Sequence, residues 1–146
     1  MTENVSGKLS VLMIEDSADC AALLNHILIE SKLFSQISIF SSGEEGMEYL
    51  EKEAKEKGKA FLPNLIFLDL NLPGEHGLDT LGKIKKYSEY HLIPVIVMTA
   101  SDERKDLLES YRKGGAVFIR KPLEKDFLIE VLMHMKITGV LSKKYE

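Results

Sequence analysis

Short apolar runs recur along the chain at residues 9–14, 36–40, 65–70 and 94–99, with a weaker one at 116–119. Three stretches, 9–14, 65–68 and 95–98, are nearly continuous, which suits strands buried on both faces of a parallel sheet covered by helices. The run Ile37-Ser38-Ile39-Phe40 alternates instead and predicts an edge strand. Between the runs the spacing turns helical. Ala21, Leu24, Ile27 and Leu28 form one stripe. Ser42-Gly43-Glu44-Glu45 reads as a capping box ahead of Met47 and Leu50. Glu48–Lys52, Glu51–Lys55 and Glu53–Lys57 pairs predict a solvated far end for that helix, which Gly58 stops before Pro63. Leu78, Leu81 and Ile84 mark a third helix. Leu107, Leu108 and Tyr111 mark a fourth, ended by Gly114 and Gly115, and residues 123–137 make a fifth.

This alternation predicts an α/β fold of (βα)5 type, a doubly wound five-stranded parallel sheet. Right-handed crossovers leave few topologies, and the flavodoxin-like order 2-1-3-4-5 is the expected one. Residues 1–8 read as an N-terminal extension, 9–137 as the domain, and 138–146 as a tail with no output domain. A length of 146 residues agrees with one domain, and 45% apolar with 29% charged residues excludes wholesale disorder. The single cysteine, Cys20, excludes a disulfide scaffold and points to a reducing compartment. The most apolar stretch, 92–100, is too short to span a membrane, and residues 1–8 lack a signal peptide's apolar region. A cytoplasmic protein without membrane contact is expected. The net charge of −4 disfavours nucleic-acid binding through bulk charge.

In such a sheet, ligands bind beyond the carboxyl ends of the strands. The predicted strands end in Glu15-Asp16, in Asp69, in Thr99-Ala100-Ser101 and in Lys121-Pro122. One acid after a strand is usually a turn or a helix cap. Three acids, a hydroxyl and an ammonium converging on one rim are a different matter. The carboxylates would repel one another unless a divalent cation or Lys121 neutralised them. Oxygen ligands imply a hard cation, and Mg²⁺ suits one or two carboxylates plus phosphate and water. A carboxylate can attack phosphorus to form an acyl phosphate, with the cation and the lysine neutralising the transferring oxygens. Thr99 could hydrogen-bond one of those oxygens.

The motifs Ile14-Glu15-Asp16-Ser17, Leu68-Asp69-Leu70-Asn71-Leu72-Pro73 with Gly77, Val97-Met98-Thr99-Ala100-Ser101 and Phe118-Ile119-Arg120-Lys121-Pro122 resemble the receiver domain of two-component response regulators. The resemblance covers 9–137. It implies that Asp69 is the phosphoacceptor, that Asp16, Asp69 and the backbone carbonyl of Asn71 hold the metal, and that Glu15 acts through water. It implies Mg²⁺ as the ion, with Mn²⁺ or Ca²⁺ able to substitute. Thr99 becomes the switch hydroxyl, Ala100 the small residue beside the phosphoryl group, and Lys121 its partner, ahead of a cis bond to Pro122. Phe118 stands where the family often has a switching tyrosine, and Asn71 and Ser101 would tune dephosphorylation. The donor would be a histidine kinase or phosphotransfer protein, and the output a contact with a downstream protein. The long 43–69 segment, Asn71-Leu72-Pro73 and the Ser110-Tyr111 pair resemble stand-alone regulators that partner bacterial phytochrome kinases.

Such a chain catalyses only its own phosphorylation and dephosphorylation. Two other readings compete. An aspartyl-phosphate phosphohydrolase needs a general acid two residues after the nucleophile, where this chain has Asn71. A receiver-fold scaffold that is never phosphorylated would be expected to lose the acid pair, the acceptor or the lysine, and all are kept. The four histidines, His26, His76, His91 and His134, lack metal-ligand spacing and read as surface residues, and Cys20 reads as a small apolar filler. Finally, the 123–137 helix carries a core stripe of Phe127, Leu128, Val131, Leu132 and Met135, and a second one of Ile129, Met133 and Ile137 continued by Val140 and Leu141. A second stripe means wide burial or an interface. The expectation is a two-fold homodimer through that face, with Tyr111 at its edge.

Overall fold

Five strands, β1 (Leu9–Ile14), β2 (Phe34–Phe40), β3 (Leu65–Asp69), β4 (Val95–Thr99) and β5 (Val117–Arg120), pair in parallel in the order β2-β1-β3-β4-β5. The computed structural model describes residues 9–87, 89–100, 108, 112–114 and 117–141. Every residue of β3 and β4 is buried, as continuous apolar runs require. β2 has no fully buried residue and forms one edge of the sheet.

Four described helices cover the two faces: α1 (Ala18–Ser31), α2 (Gly43–Lys57), α3 (Gly77–Lys86) and α4 (Lys125–Ile137). Alternate strand residues point to opposite faces. Val11, Met13 and Phe67 therefore join Leu24, Ile27 and Leu28 of α1 and Leu128, Leu132 and Met135 of α4. Leu12, Ile14 and Leu68 join Leu50 of α2 and Leu81 and Ile84 of α3 on the other side. No helix among the described residues is long and apolar enough to cross a membrane.

Several sequence expectations need correction. Glu53 is only 8% exposed rather than solvated, because Gly46, Leu50 and Glu53 share one face of α2; Lys57 pairs with it at 3.4 Å. The capping box closes one residue early. Ser42 Oγ accepts from the Glu45 N–H, but the Glu45 carboxylate accepts from the N–H and hydroxyl of Ser41. Phe127, expected in the core, is 50% exposed, whereas Ile129 from the second stripe packs against the core. Val140 packs against the core too, and Leu141 is fully buried in it. The packed unit thus reaches beyond Ile137. Asn64 holds that end: its Nδ2 donates to the Leu141 carbonyl at 3.1 Å, and its Oδ1 accepts from Ser10 N–H at 3.0 Å. Of the predicted fourth helix, Leu107 and Tyr111 lie outside the described residues, and Leu108 is exposed.

Candidate functional site

The parallel register sets Ile14 beside Leu68, so Glu15 and Asp69 leave the sheet side by side. Lys121 follows β5, and its backbone N–H donates to the Thr99 carbonyl at 2.8 Å. The Lys121–Pro122 peptide bond is cis. The turn after Asp69 is tight: Gly77 N–H donates to the Leu70 carbonyl at 2.9 Å, and a Cβ on Gly77 would lie 2.4 Å from the Asp69 carbonyl oxygen. Only glycine lets the start of α3 come this close to the end of β3.

At the rim, Lys121 Nζ lies 2.8 Å from Glu15 Oε1 and 3.2 Å from Asp69 Oδ2. Glu15 Oε2 accepts from Ser17 N–H and Asp69 Oδ1 from Asn71 N–H, both at 3.0 Å. The Asn71 Nδ2 donates to Thr99 Oγ1 at 3.4 Å. Glu15, Asp69 and Thr99 are buried, while Asp16, Asn71 and Ala100 are exposed at the mouth. Phe118 is half-buried against the α2–α3 side of the core. Ser101 and Tyr111 lie outside the described residues. Pro122, Met133 and Ile137 are exposed, whereas Ile129 and Val140 pack against the core and Leu141 is buried in it, so the second stripe gives three of its five members to the core.

Charge dominates this rim. Burial pushes the Asp69 carboxyl above its ordinary value, and the neighbouring Glu15 adds to this against the Asn71 N–H. Burial also opposes ionisation of Glu15, but Lys121, Asp69 and the Ser17 N–H together hold it below the usual range. The Lys121 ammonium is disfavoured by burial yet held well above its ordinary value by Glu15 and Asp69. Burial, then the charge of Glu15, pushes the Cys20 thiol up to about 11, which makes it inert as a nucleophile.

Carboxylate oxygens of Glu15, Asp16 and Asp69 lie within 4.8 Å of one another. With one ammonium facing three carboxylates, two negative charges stay uncompensated when all are ionised. Glu15 Oε1 is near enough to Lys121 for an ion pair but is not aligned for a hydrogen bond, so this buried oxygen retains an unused acceptor. Hard oxygen donors, surplus negative charge and an unsatisfied acceptor fit a divalent cation.

Residues 11–133 match the model of the response regulator receiver domain. The chain belongs to this family. Among its relatives, the response regulator Rcp1 of Synechocystis sp. is 34% identical over 111 residues, covering 76% of this chain and 75% of that protein. The crystal structure of the Mn²⁺-bound form of Rcp1 superposes with a TM-score of 0.74 at 26% identity, over 94% of this chain and 99% of that one. The phosphorylated cyanobacterial phytochrome response regulator RcpA gives 0.75 at 26% identity, over 94% and 97%. The bacteriophytochrome response regulator RtBRR gives 0.75 at 26%, over 95% and 81%. The receiver's sheet order and the acidic rim at its carboxyl end are both present in this chain.

Some contributions at this receiver rim were not anticipated from sequence. His76 caps α3, its Nδ1 accepting from Leu78 N–H at 3.0 Å. Glu75 braces the same loop by accepting from the Thr80 hydroxyl at 3.0 Å and pairing with Lys83. Histidine is not among the usual capping residues, so its position carried no signal. Glu75 could be assigned only once α3 had an orientation.

Proposed function

We propose that this receiver accepts a phosphoryl group on Asp69 from a histidine kinase or a phosphotransfer protein. The observation that carries this reading is Lys121 Nζ bridging buried Glu15 and Asp69 beside the three-carboxylate cluster. An Asp69 carboxylate oxygen forms the new bond to phosphorus, the bond from phosphorus to the donor imidazole breaks, and the imidazole nitrogen keeps the bonding pair. Asp16, Asp69 and the Asn71 carbonyl would hold Mg²⁺, with Glu15 acting through water and Mn²⁺ or Ca²⁺ as substitutes. The cation supplies charge neutralisation at the phosphoryl oxygens. Lys121 turns from the carboxylates to the incoming phosphoryl group. Ala100 leaves room for it, and the Thr99 hydroxyl leaves Asn71 to donate to one of its oxygens.

That movement of Thr99, with Phe118 following, biases the surface formed by β5 and α4. Asn71 and Ser101 tune the rate at which water hydrolyses the acyl phosphate. The chain catalyses only its own phosphorylation and dephosphorylation, in the cytoplasm, and signals by contact with a downstream protein. Similarity to RcpA and RtBRR favours a phytochrome kinase as the donor. A homodimer would use exposed Met133 and Ile137, with Tyr111 at its edge.

The test is intact-mass analysis after incubation with acetyl phosphate. The expected result is a Mg²⁺-dependent gain of one phosphoryl group that Asp69→Asn abolishes. No gain in the wild type, or an undiminished gain in Asp69→Asn, would overturn the assignment.

A further inference from the structure

Thr99 ends β4, and its backbone is clamped on both sides. The Met98 carbonyl accepts from Leu70 N–H at 3.0 Å, and the Thr99 carbonyl accepts from Lys121 N–H at 2.8 Å. The residue is fully buried. What remains adjustable is one side-chain torsion, and a β-branched side chain has few choices there. A buried hydroxyl takes the orientation in which it finds partners. One of those partners comes from the solvent side: the exposed Asn71 donates from Nδ2 to Thr99 Oγ1 at 3.4 Å.

Asn71 is itself held by Asp69. Its backbone N–H donates to Asp69 Oδ1 at 3.0 Å, two residues back, which is the Asx-turn arrangement. Asn71 therefore touches Asp69 through its backbone and Thr99 through its carboxamide, across 28 positions of chain in the second case. Lys121 is engaged by Glu15 and Asp69, so a neutral amide rather than the ammonium supplies this donor to Thr99. An amide N–H makes the Thr99 hydroxyl an acceptor, whereas a phosphoryl oxygen on Asp69 would need it as a donor. The two contacts ask opposite things of one group, and the resting contact favours the rotamer that faces Asn71. A hydrogen bond of this length is weak, as suits a contact that a covalent phosphoryl group has to open.

We propose that the Asn71 carboxamide is an autoinhibitory latch, which holds the Thr99 hydroxyl in its resting rotamer and so sets how readily the receiver switches. The latch rests on the reading of Asp69 as phosphoacceptor and gives the Asn71 side chain a role before any phosphoryl group arrives. The test uses Asn71→Leu, which keeps the shape of an exposed side chain but has no donor, and Thr99→Val, which removes the acceptor. In metal-free protein, three-bond couplings to the Thr99 methyl should report one χ1 rotamer in the wild type and a mixture in Asn71→Leu. Beryllofluoride, a stand-in for the phosphoryl group, is then titrated at saturating Mg²⁺. Its dissociation constant should be about threefold lower in Asn71→Leu than in the wild type, because the competent rotamer is more populated. In a Thr99→Val background the same substitution should leave that constant unchanged, since the coupled group is gone. An unchanged rotamer in Asn71→Leu, equal affinities of that variant and the wild type, or a gain that persists in the Thr99→Val background would each overturn the latch. A wild type that binds no beryllofluoride would overturn the phosphoacceptor reading instead, and the rotamer measurement would still decide the latch.

Discussion

Two groups of carboxylates among the described residues behave as opposites. At the sheet rim, Glu15 and Asp69 are each 2% exposed and share one lysine. Along the α2–α3 groove, Glu48, Glu51 and Glu89 stand in solvent. The residue type is the same, and burial sets the difference. Desolvation makes each rim charge depend on its neighbours, so adding or removing one cation there changes the state of the whole cluster. Groove carboxylates are screened by water and contribute mainly a local potential.

The sharpest way to break this contrast is Lys121→Met. It leaves two buried carboxylates facing each other without a counter-charge, and it should destabilise the metal-free protein by about 2–4 kcal/mol in urea unfolding. A loss no larger than that of a surface substitution would erase the distinction. Next comes the cation. Mg²⁺ at about a hundred times its Kd should add about 2.7 kcal/mol to wild-type stability. Asp16→Ala, which removes one carboxylate of the cluster, should lose most of that gain in a melt with and without Mg²⁺.

Asp69→Asn should act with the opposite sign. The native Asp69 carboxyl is raised above its ordinary value, so the folded protein holds its proton to higher pH than the unfolded chain does. Stability contributed by that proton is lost as pH rises through the native value. The asparagine variant should therefore be more stable than wild type near neutrality by about 1 kcal/mol without metal, the advantage fading below about pH 4. Parallel urea curves across pH would reveal it. The smallest effect belongs to the groove: Glu48→Gln should change stability by less than about 0.5 kcal/mol at any pH between 5 and 8. A larger change would show that groove carboxylates are coupled like those at the rim.

Much of this was legible beforehand because it is local. Continuous apolar runs marked β1, β3 and β4, and alternation at Ile37-Ser38-Ile39-Phe40 marked the edge strand. The (βα) alternation then restricted the order of the sheet, and with it the end where acids, hydroxyl and lysine would meet. Helix orientation was less legible. The last helix carries two apolar stripes with nearly equal claims, and its neighbours turned Ile129 inward and Phe127 outward.

Sequence by itself determined the elements, their order and the cast of residues at the rim, since hydrophobic periodicity and strand-end position are properties of short stretches. Tertiary structure alone decided the distances that turn this cast into a site. Lys121 meets Asp69 across 52 positions of chain. The unused oxygen of Glu15 likewise exists only after packing. No local pattern encodes them, because each is the outcome of separate elements excluding water from the same place.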